Sequence, residues 1–295
     1  MPSLITQVKS KLFIHSSQKS MHALDGAYAS LLHGRSLDFE DLRKYEYGDQ
    51  VRDIDWRATA RMDVPMVKRH RANRMHTVLF VVDTGLSMTA LAHDEKPKKE
   101  LAILATGALG ILALRHGDDF SVIHGDTERI RRRAPGRSEG ALEHALRTID
   151  QAIATASAPS DRDALLSFVA RTIARRCIVV IVTDEAPVTD ETERMLRRLR
   201  VQHDVVWVTL RDADPVLDHA SHESRADVGT RWAIPDFVHG DAEVLGEIVA
   251  QNQADAARRD DLLDRLEISR AALDTQDAAV GELLRMLNRR AHVRS

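Results

Sequence analysis

The stretch Thr77-Val-Leu-Phe-Val-Val-Asp-Thr-Gly-Leu-Ser-Met88 constrains this chain more than any other. A short apolar run rich in Val and Phe fits a buried strand, because β-branched and aromatic side chains suit a pleated surface. The run stops abruptly at Asp83, and Thr84, Gly85 and Ser87 follow at once. A carboxylate at the mouth of a buried strand, beside a hydroxyl-bearing loop, can form one wall of a divalent-metal site.

The fold class comes from the order of segments after residue 76. Strand-like segments at 77–82, 120–124, 128–133, 177–183 and 205–210 are separated by helical ones at 98–115, 139–154, 161–175 and 190–200. This alternation predicts an α/β fold: a doubly wound, mainly parallel sheet with helices on both faces. Residues 76–240 are assigned to that domain. Residues 1–75 form an N-terminal segment that starts as a helix and becomes a charged strand-and-turn region. There Tyr47-Gly48-Asp49 reads as a turn. The segment Val64-Pro-Met-Val-Lys-Arg69 reads as an edge strand, since Pro65 cannot donate to a central ladder. Trp232, Ile234 and Phe237 mark a last edge segment. Residues 241–295 form a helical tail, in which Leu262, Leu263, Leu266, Leu273, Val280, Leu283, Leu284 and Leu287 suit an amphipathic helix or helical pair, packed on its own domain rather than offered as a coiled-coil partner face.

Composition excludes several function classes. Net charge is -3 and the pI is about 6.5, so there is no global attraction to nucleic acid or anionic membrane. Cys177 is the single cysteine, which forbids an internal disulfide and favours a reducing compartment. No charged-then-apolar signal pattern opens the chain. The apolar stretch Leu101–Leu114 is shorter than the ~20 residues of a membrane helix. A cytoplasmic location is expected. No Gly is followed by Lys, so a phosphate-binding P-loop is absent and any ATPase acts in trans. Cys177 lies in an apolar run and reads as a buried, inert thiol. His219 and His222 read as a polar loop rather than zinc ligands.

In open α/β sheets, ligands sit beyond the carboxyl ends of the strands, near a switch in strand order. Two strands here end in aspartate: Asp83, and Asp184 after Ile178-Val-Val-Ile-Val-Thr183. In parallel neighbouring strands the two carboxylates converge. Mg2+ takes about six oxygens and usually keeps some water. Asp83, Ser87 and Asp184 supply part of such a shell, and Ser138 offers another hydroxyl. The competing reading is that these residues cap helices, a task to which Ser and Asp are also suited.

Asp83 to Ser87 resembles the metal-ion-dependent adhesion site of von Willebrand factor A domains, Asp-x-Ser-x-Ser. That resemblance implies Mg2+ held by Asp83, Ser87, Ser138 in the place of a threonine, and Asp184, with Thr84, Gly85 and Glu185 beside it facing the partner. Gly85 stands where the family has its first serine. Upstream, Gly34-Arg-Ser-x-Asp-Phe, Asp41-Leu-Arg-x-Tyr45, Gly48-Asp49, Val51-Arg-x-Ile-Asp-Trp56 and Ala60-Arg61 are similar to the signature of the "domain of unknown function 58" family. The resemblance implies a von Willebrand A-like domain and a non-enzymatic adaptor role. The implied partner is a MoxR-type AAA+ ATPase, or that ATPase's client, in chaperone-like complex maturation.

The upstream block interleaves aspartates with arginines, which suits a charge network clamped on the domain, with Trp56 as a buried anchor. It equally suits a docking face built from Arg43, Tyr45, Asp49, Arg52, Asp55 and Trp56. Two alternatives stay open. Phe80-Val-Val-Asp-Thr-Gly85 matches the local pattern of an aspartic protease, although that chemistry needs a second carboxylate and a β-built fold. The basic runs Lys68-Arg-His-Arg71 with Arg74, and Arg129-Ile-Arg-Arg-Arg133 with Arg137, would attract nucleic acid. They lack interleaved aromatics and read better as solvated faces.

Overall fold

The structure is a computed structural model that describes residues 3–15, 28, 41–46, 54–69, 76–213, 228 and 242–293. In chain order the elements are α1 (Leu4–His15), β1 (Asp41–Lys44), α2 (Trp56–Met62), β2 (Met66–Arg69), β3 (Thr77–Asp83), a short 3-10 turn (Leu86–Thr89), α3 (Lys98–Arg115), β4 (Asp119–Gly125), β5 (Ile130–Arg132), α4 (Glu139–Ala154), α5 (Arg162–Thr172), β6 (Ile178–Thr183), α6 (Asp190–Gln202), β7 (Asp204–Leu210), α7 (Ala242–Arg265), β8 (Ser269–Leu273) and α8 (Gln276–Val293).

Six strands form one sheet in the order β5-β4-β3-β6-β7-β8. All neighbours are parallel except β5, which runs antiparallel to β4. The first strand of the sheet, β3, therefore lies inside it, with β4 on one side and β6 on the other. The order switches there, and the carboxyl ends of β3 and β6 open side by side.

Both faces of the sheet are covered, so the inner strands β3, β6 and β7 are buried almost throughout, whereas the edge strand β5 exposes Arg131 and Arg132. Val78, Phe80 and Val82 point into a core shared with α1, α3, α4 and α8. Leu79 and Val81 point the other way, into a core shared with α5, α6 and α7. The period of two along β3 thus divides its side chains between two layers. Helix α3 is buried almost all round, as its apolar sequence requires. Gly107 lets α1 approach it closely: a Cβ at that position would lie 2.8 Å from a Val8 methyl.

Three findings differ from the sequence reading. The tail is not purely helical, because β8 joins the sheet as its edge strand beside β7. Ser269-Arg-Ala-Ala-Leu273 is alanine-rich and reads as helix by propensity. Its pairing with β7 overrides that preference, and Ala271 and Leu273 are buried in the core. The charged block also contains a short helix, α2, that no periodicity announced. Asp55 caps it by accepting from the Arg57 and Ala58 amides. Trp56 is not a buried anchor: it is 66% exposed, at the start of a helix without any buried residue. The expected edge strand is β2, which pairs with β1 in a separate two-stranded sheet. The turn at 47–49, the segment around Trp232 to Phe237, His219 and His222, and the domain boundaries at 75 and 240 lie outside the described residues.

Candidate functional site

Asp83 closes β3 opposite Gly125 of β4, and Asp184 follows the last residue of β6. Both are buried. Oδ1 of Asp83 accepts from the Gly85 amide at 2.9 Å, while Oδ2 is buried with no hydrogen-bond partner. A carboxylate oxygen without a partner is costly in a low-dielectric site. Burial accordingly pushes the Asp83 carboxyl up to about 7. The Asp184 charge adds to this, and the Gly85 amide, the Ser160 hydroxyl and the Arg162 guanidinium oppose it.

Two further loops converge on Asp83. Ser87 lies in the 3-10 turn after β3, and its Oγ is 2.6 Å from the Ser160 Oγ. Ser160 comes from the loop between α4 and α5. That loop is stitched to its neighbours by the Leu86 amide donating to Ala158 O (2.9 Å) and the Thr127 amide donating to Pro159 O (3.0 Å). Asp184 accepts from the Ala186 amide at 3.2 Å. Two arginines grip the backbone beyond it. Arg162 donates to Ala186 O and Pro187 O, and Arg259 donates to Glu185 O. Arg162 is itself held over the Trp207 ring, 5.4 Å from its centroid.

Lys98, fully buried at the start of α3, fastens the Ser87 turn from behind. Its Nζ donates to Ser87 O at 3.0 Å and ion-pairs with Asp212. Burial pushes Asp212 up to about 6 against the pull of Lys98, and Glu185 and Asp184 push it the same way. The site therefore sets Asp83, Asp184, Glu185 and Asp212 against Lys98, Arg162 and Arg259.

Ser138 does not belong here. It caps α4 by accepting from the Ala141 amide at 3.2 Å. Its neighbours Gly136 and Arg137 bond Phe120 and Asp119 at the amino end of β4, whereas Asp83 is at the carboxyl end. The hydroxyl that reaches Asp83 belongs to Ser160. Its only sequence signal was the Ser157-Ala-Pro-Ser160 break between two helices. Lys98, Arg162, Asp212 and Arg259 were also missed, because each acts across the fold rather than within a motif.

Gly85 is required by packing. A Cβ there would lie 2.5 Å from both the Cα and the amide nitrogen of Ser160. The departure from the family's serine and the close approach of the Ser160 loop are thus one feature. Thr84 is buried and donates its amide to Gly125 O, and Glu185 is half-buried at the rim. Of the upstream residues, Arg43 lies in β1, Tyr45 is at the surface, and Asp49 and Arg52 lie outside the described residues.

Among the described residues no group of three or more His, Cys, Asp or Glu side chains could hold a metal. The donors gathered around Asp83 are instead two carboxylates and two hydroxyls, hard oxygens of the kind Mg2+ takes. The partnerless Asp83 oxygen fits such an ion.

The protease pattern loses its context, since β3 belongs to a mainly parallel sheet with helices on both faces. The basic run on β5 is not one patch. Strand alternation points Arg131 and Arg133 to the α4 side and Arg132 toward the other layer. Burial pushes the Cys177 thiol up to about 12, which keeps it protonated and inert. The second run, at 68–74, has no described side chains.

Asp83, Ser87, Ser160 and Asp184 thus lie at the switch point of a doubly wound, mainly parallel α/β sheet. The chain belongs to the family described as "Protein of unknown function DUF58", which matches residues 41–217. It is 29% identical over 250 residues to uncharacterized proteins of Mycobacterium tuberculosis and Mycobacterium bovis, covering 83% of this chain and 72% of each relative. Among solved structures it is similar to an aerotolerance-related membrane protein of Bacteroides fragilis, with a TM-score of 0.43 and 15% identity over 72% of this chain and 99% of that one. BatB of Bacteroides thetaiotaomicron matches with a TM-score of 0.42 and 10% identity over 74% of this chain and 99% of its own. A von Willebrand factor type A protein of Catenulispora acidiphila matches with a TM-score of 0.41 and 12% identity over 74% of this chain and 43% of its own. Among the described residues no helix is long and apolar enough to cross a membrane.

Proposed function

We propose that this chain is a non-enzymatic adaptor that docks a MoxR-type AAA+ ATPase, or that ATPase's client, through the carboxyl end of its sheet. The observation that carries this reading is the buried Asp83 oxygen with no partner, facing a loop cluster that supplies further oxygens. Asp83, Ser87, Ser160 and Asp184 would hold Mg2+. The ion would supply positive charge for a carboxylate of the partner. Lys98 and Arg162 keep the loops in place whether or not an ion is bound, since their bonds go to backbone carbonyls. The chain has no P-loop, so nucleotide hydrolysis belongs to the partner.

The test is affinity capture by the full chain from extract of its own cells, with Mg2+ and a non-hydrolysable ATP analogue. Identification of an AAA+ ATPase by mass spectrometry, lost with EDTA and with Asp83→Ala, is the expected result. Capture indifferent to both changes would remove the docking face from the account.

A further inference from the structure

A closed ring of contacts borders Asp83. The Ser87 and Ser160 hydroxyls meet at 2.6 Å. Just beyond Ser160 in the chain, Arg162 donates to Ala186 O at 3.0 Å. Glu185, the neighbour of Ala186, accepts the Asp212 amide on Oε1 at 3.4 Å. The Asp212 carboxylate pairs with Lys98, and Lys98 Nζ returns to Ser87 O at 3.0 Å. Asp212 belongs to the segment after β7, which supplies none of the oxygens gathered at Asp83.

That segment is fixed to the loops on either side. Asp212 forms a backbone bridge with Ala92, and the Ala213 amide donates to Leu91 O at 3.0 Å. Arg259 holds Glu185 from behind, donating to its carbonyl at 3.2 Å. Lys98 is fully buried and Asp212 is half-exposed. In such a pair desolvation offsets most of the attraction, so it is weak glue for a fold. An apolar side chain at 98 would fill the start of α3, but it could hold neither Ser87 O nor Asp212. The distinct effect of the pair is geometric. It joins the loop carrying Ser87 to the loop carrying Asp184 by a second route besides Arg162. Mg2+ demands near-ideal octahedral geometry, and loops held at a fixed separation meet that demand with less reordering.

We propose that Asp212 is a positioning residue of the Asp83 site. Through Lys98 and Glu185 it holds the Ser87 and Asp184 loops at the separation an ion needs, and a bound ion tightens the segment 211–213 in return. Coupling of this kind is reciprocal: what the segment adds to ion affinity, the ion adds to the segment's stability. The proposal rests on the ion-bridged docking reading above, and its test separates the two.

The test combines Mg2+ calorimetry with amide hydrogen exchange on the full chain. Asp212→Ala should bind Mg2+ roughly tenfold more weakly than the native chain. Asp212→Asn keeps an oxygen within reach of Lys98 and should stay within about threefold of the native affinity. Mg2+ should slow exchange of the Asp212 and Ala213 amides in the native chain and leave them unchanged in Asp83→Ala. Where Asp212→Ala does not fold, the exchange result in the native chain decides alone. A purely structural Asp212 would lower the urea midpoint of Asp212→Ala while Mg2+ affinity stays native and both amides ignore the ion. That result would overturn the proposal and leave the ion site standing. An Asn variant as weak as the Ala variant would also overturn it, by making the effect one of charge at a distance. No Mg2+ heat from the native chain would overturn the ion and the positioning role together.

Discussion

The two ends of the sheet carry the same residue type to opposite effect. At the amino end, aspartates are glue. Asp118 accepts from the Tyr28 hydroxyl (3.1 Å) and the His76 amide (2.9 Å). Asp119 pairs with Arg137, and Asp204 pairs with the buried Arg290. At the carboxyl end, Asp83 is equally buried yet one of its oxygens has no partner. Buried polar groups are nearly always satisfied in folded proteins. A buried aspartate left short beside converging loops is where the proposed docking reading looks for a ligand, whereas a satisfied one holds the fold together. The difference is in the partners, which no local sequence pattern displays.

Breaking the glue should have the largest effect. Asp204→Ala strands the buried Arg290, and should cost about 3–5 kcal/mol in urea unfolding. Asp83 should behave in the opposite way. Its folded pKa of about 7 lies above its ordinary value of 3.8. The stability this group contributes is full below about pH 4 and lost as pH rises through 7. Asp83→Asn cannot ionise, so without metal it should match the native chain at pH 4 and exceed it at pH 8, by at most about 4 kcal/mol. Equal melting curves at both pH values would contradict the strain assigned to Asp83. Gly85→Ser restores the family's letter but forces a Cβ against the Ser160 backbone. It should destabilise the fold by about 1–3 kcal/mol and weaken Mg2+ binding, and tighter binding would show that the loop yields. The smallest effect belongs to Ser138→Ala, which removes one helix cap. A loss of about 1 kcal/mol with Mg2+ affinity unchanged is expected, and a fall in affinity would return Ser138 to the site.

The sheet was legible because its strands are dense in β-branched residues and end abruptly at aspartate. Helices α3 and α4 have the expected limits, 98–115 and 139–154. Asp83, Ser87 and Asp184 could be placed at the carboxyl end of the sheet because each ends a strand or lies within four residues of its end. Ser160 could not, because loop order says nothing about which end of a sheet a loop occupies. The short antiparallel strand β5 returns the chain to the amino end before α4 begins, leaving Ser138 there. Helix α4 then carries the chain back, and Ser160 arrives at Asp83. Strand β8 was hidden by alanines that favour helix when alone. Trp56 misled because burial was inferred from size, whereas Asp55 starts a surface helix beneath it.

The most direct test is a calorimetric titration of Mg2+ into the metal-free chain and into Asp83→Ala. The account predicts saturable heat from the native chain and none from the variant, with Ser160→Ala weakened and Ser138→Ala unaffected. Identical traces from the native chain and Asp83→Ala would contradict a metal site at the carboxyl end of the sheet.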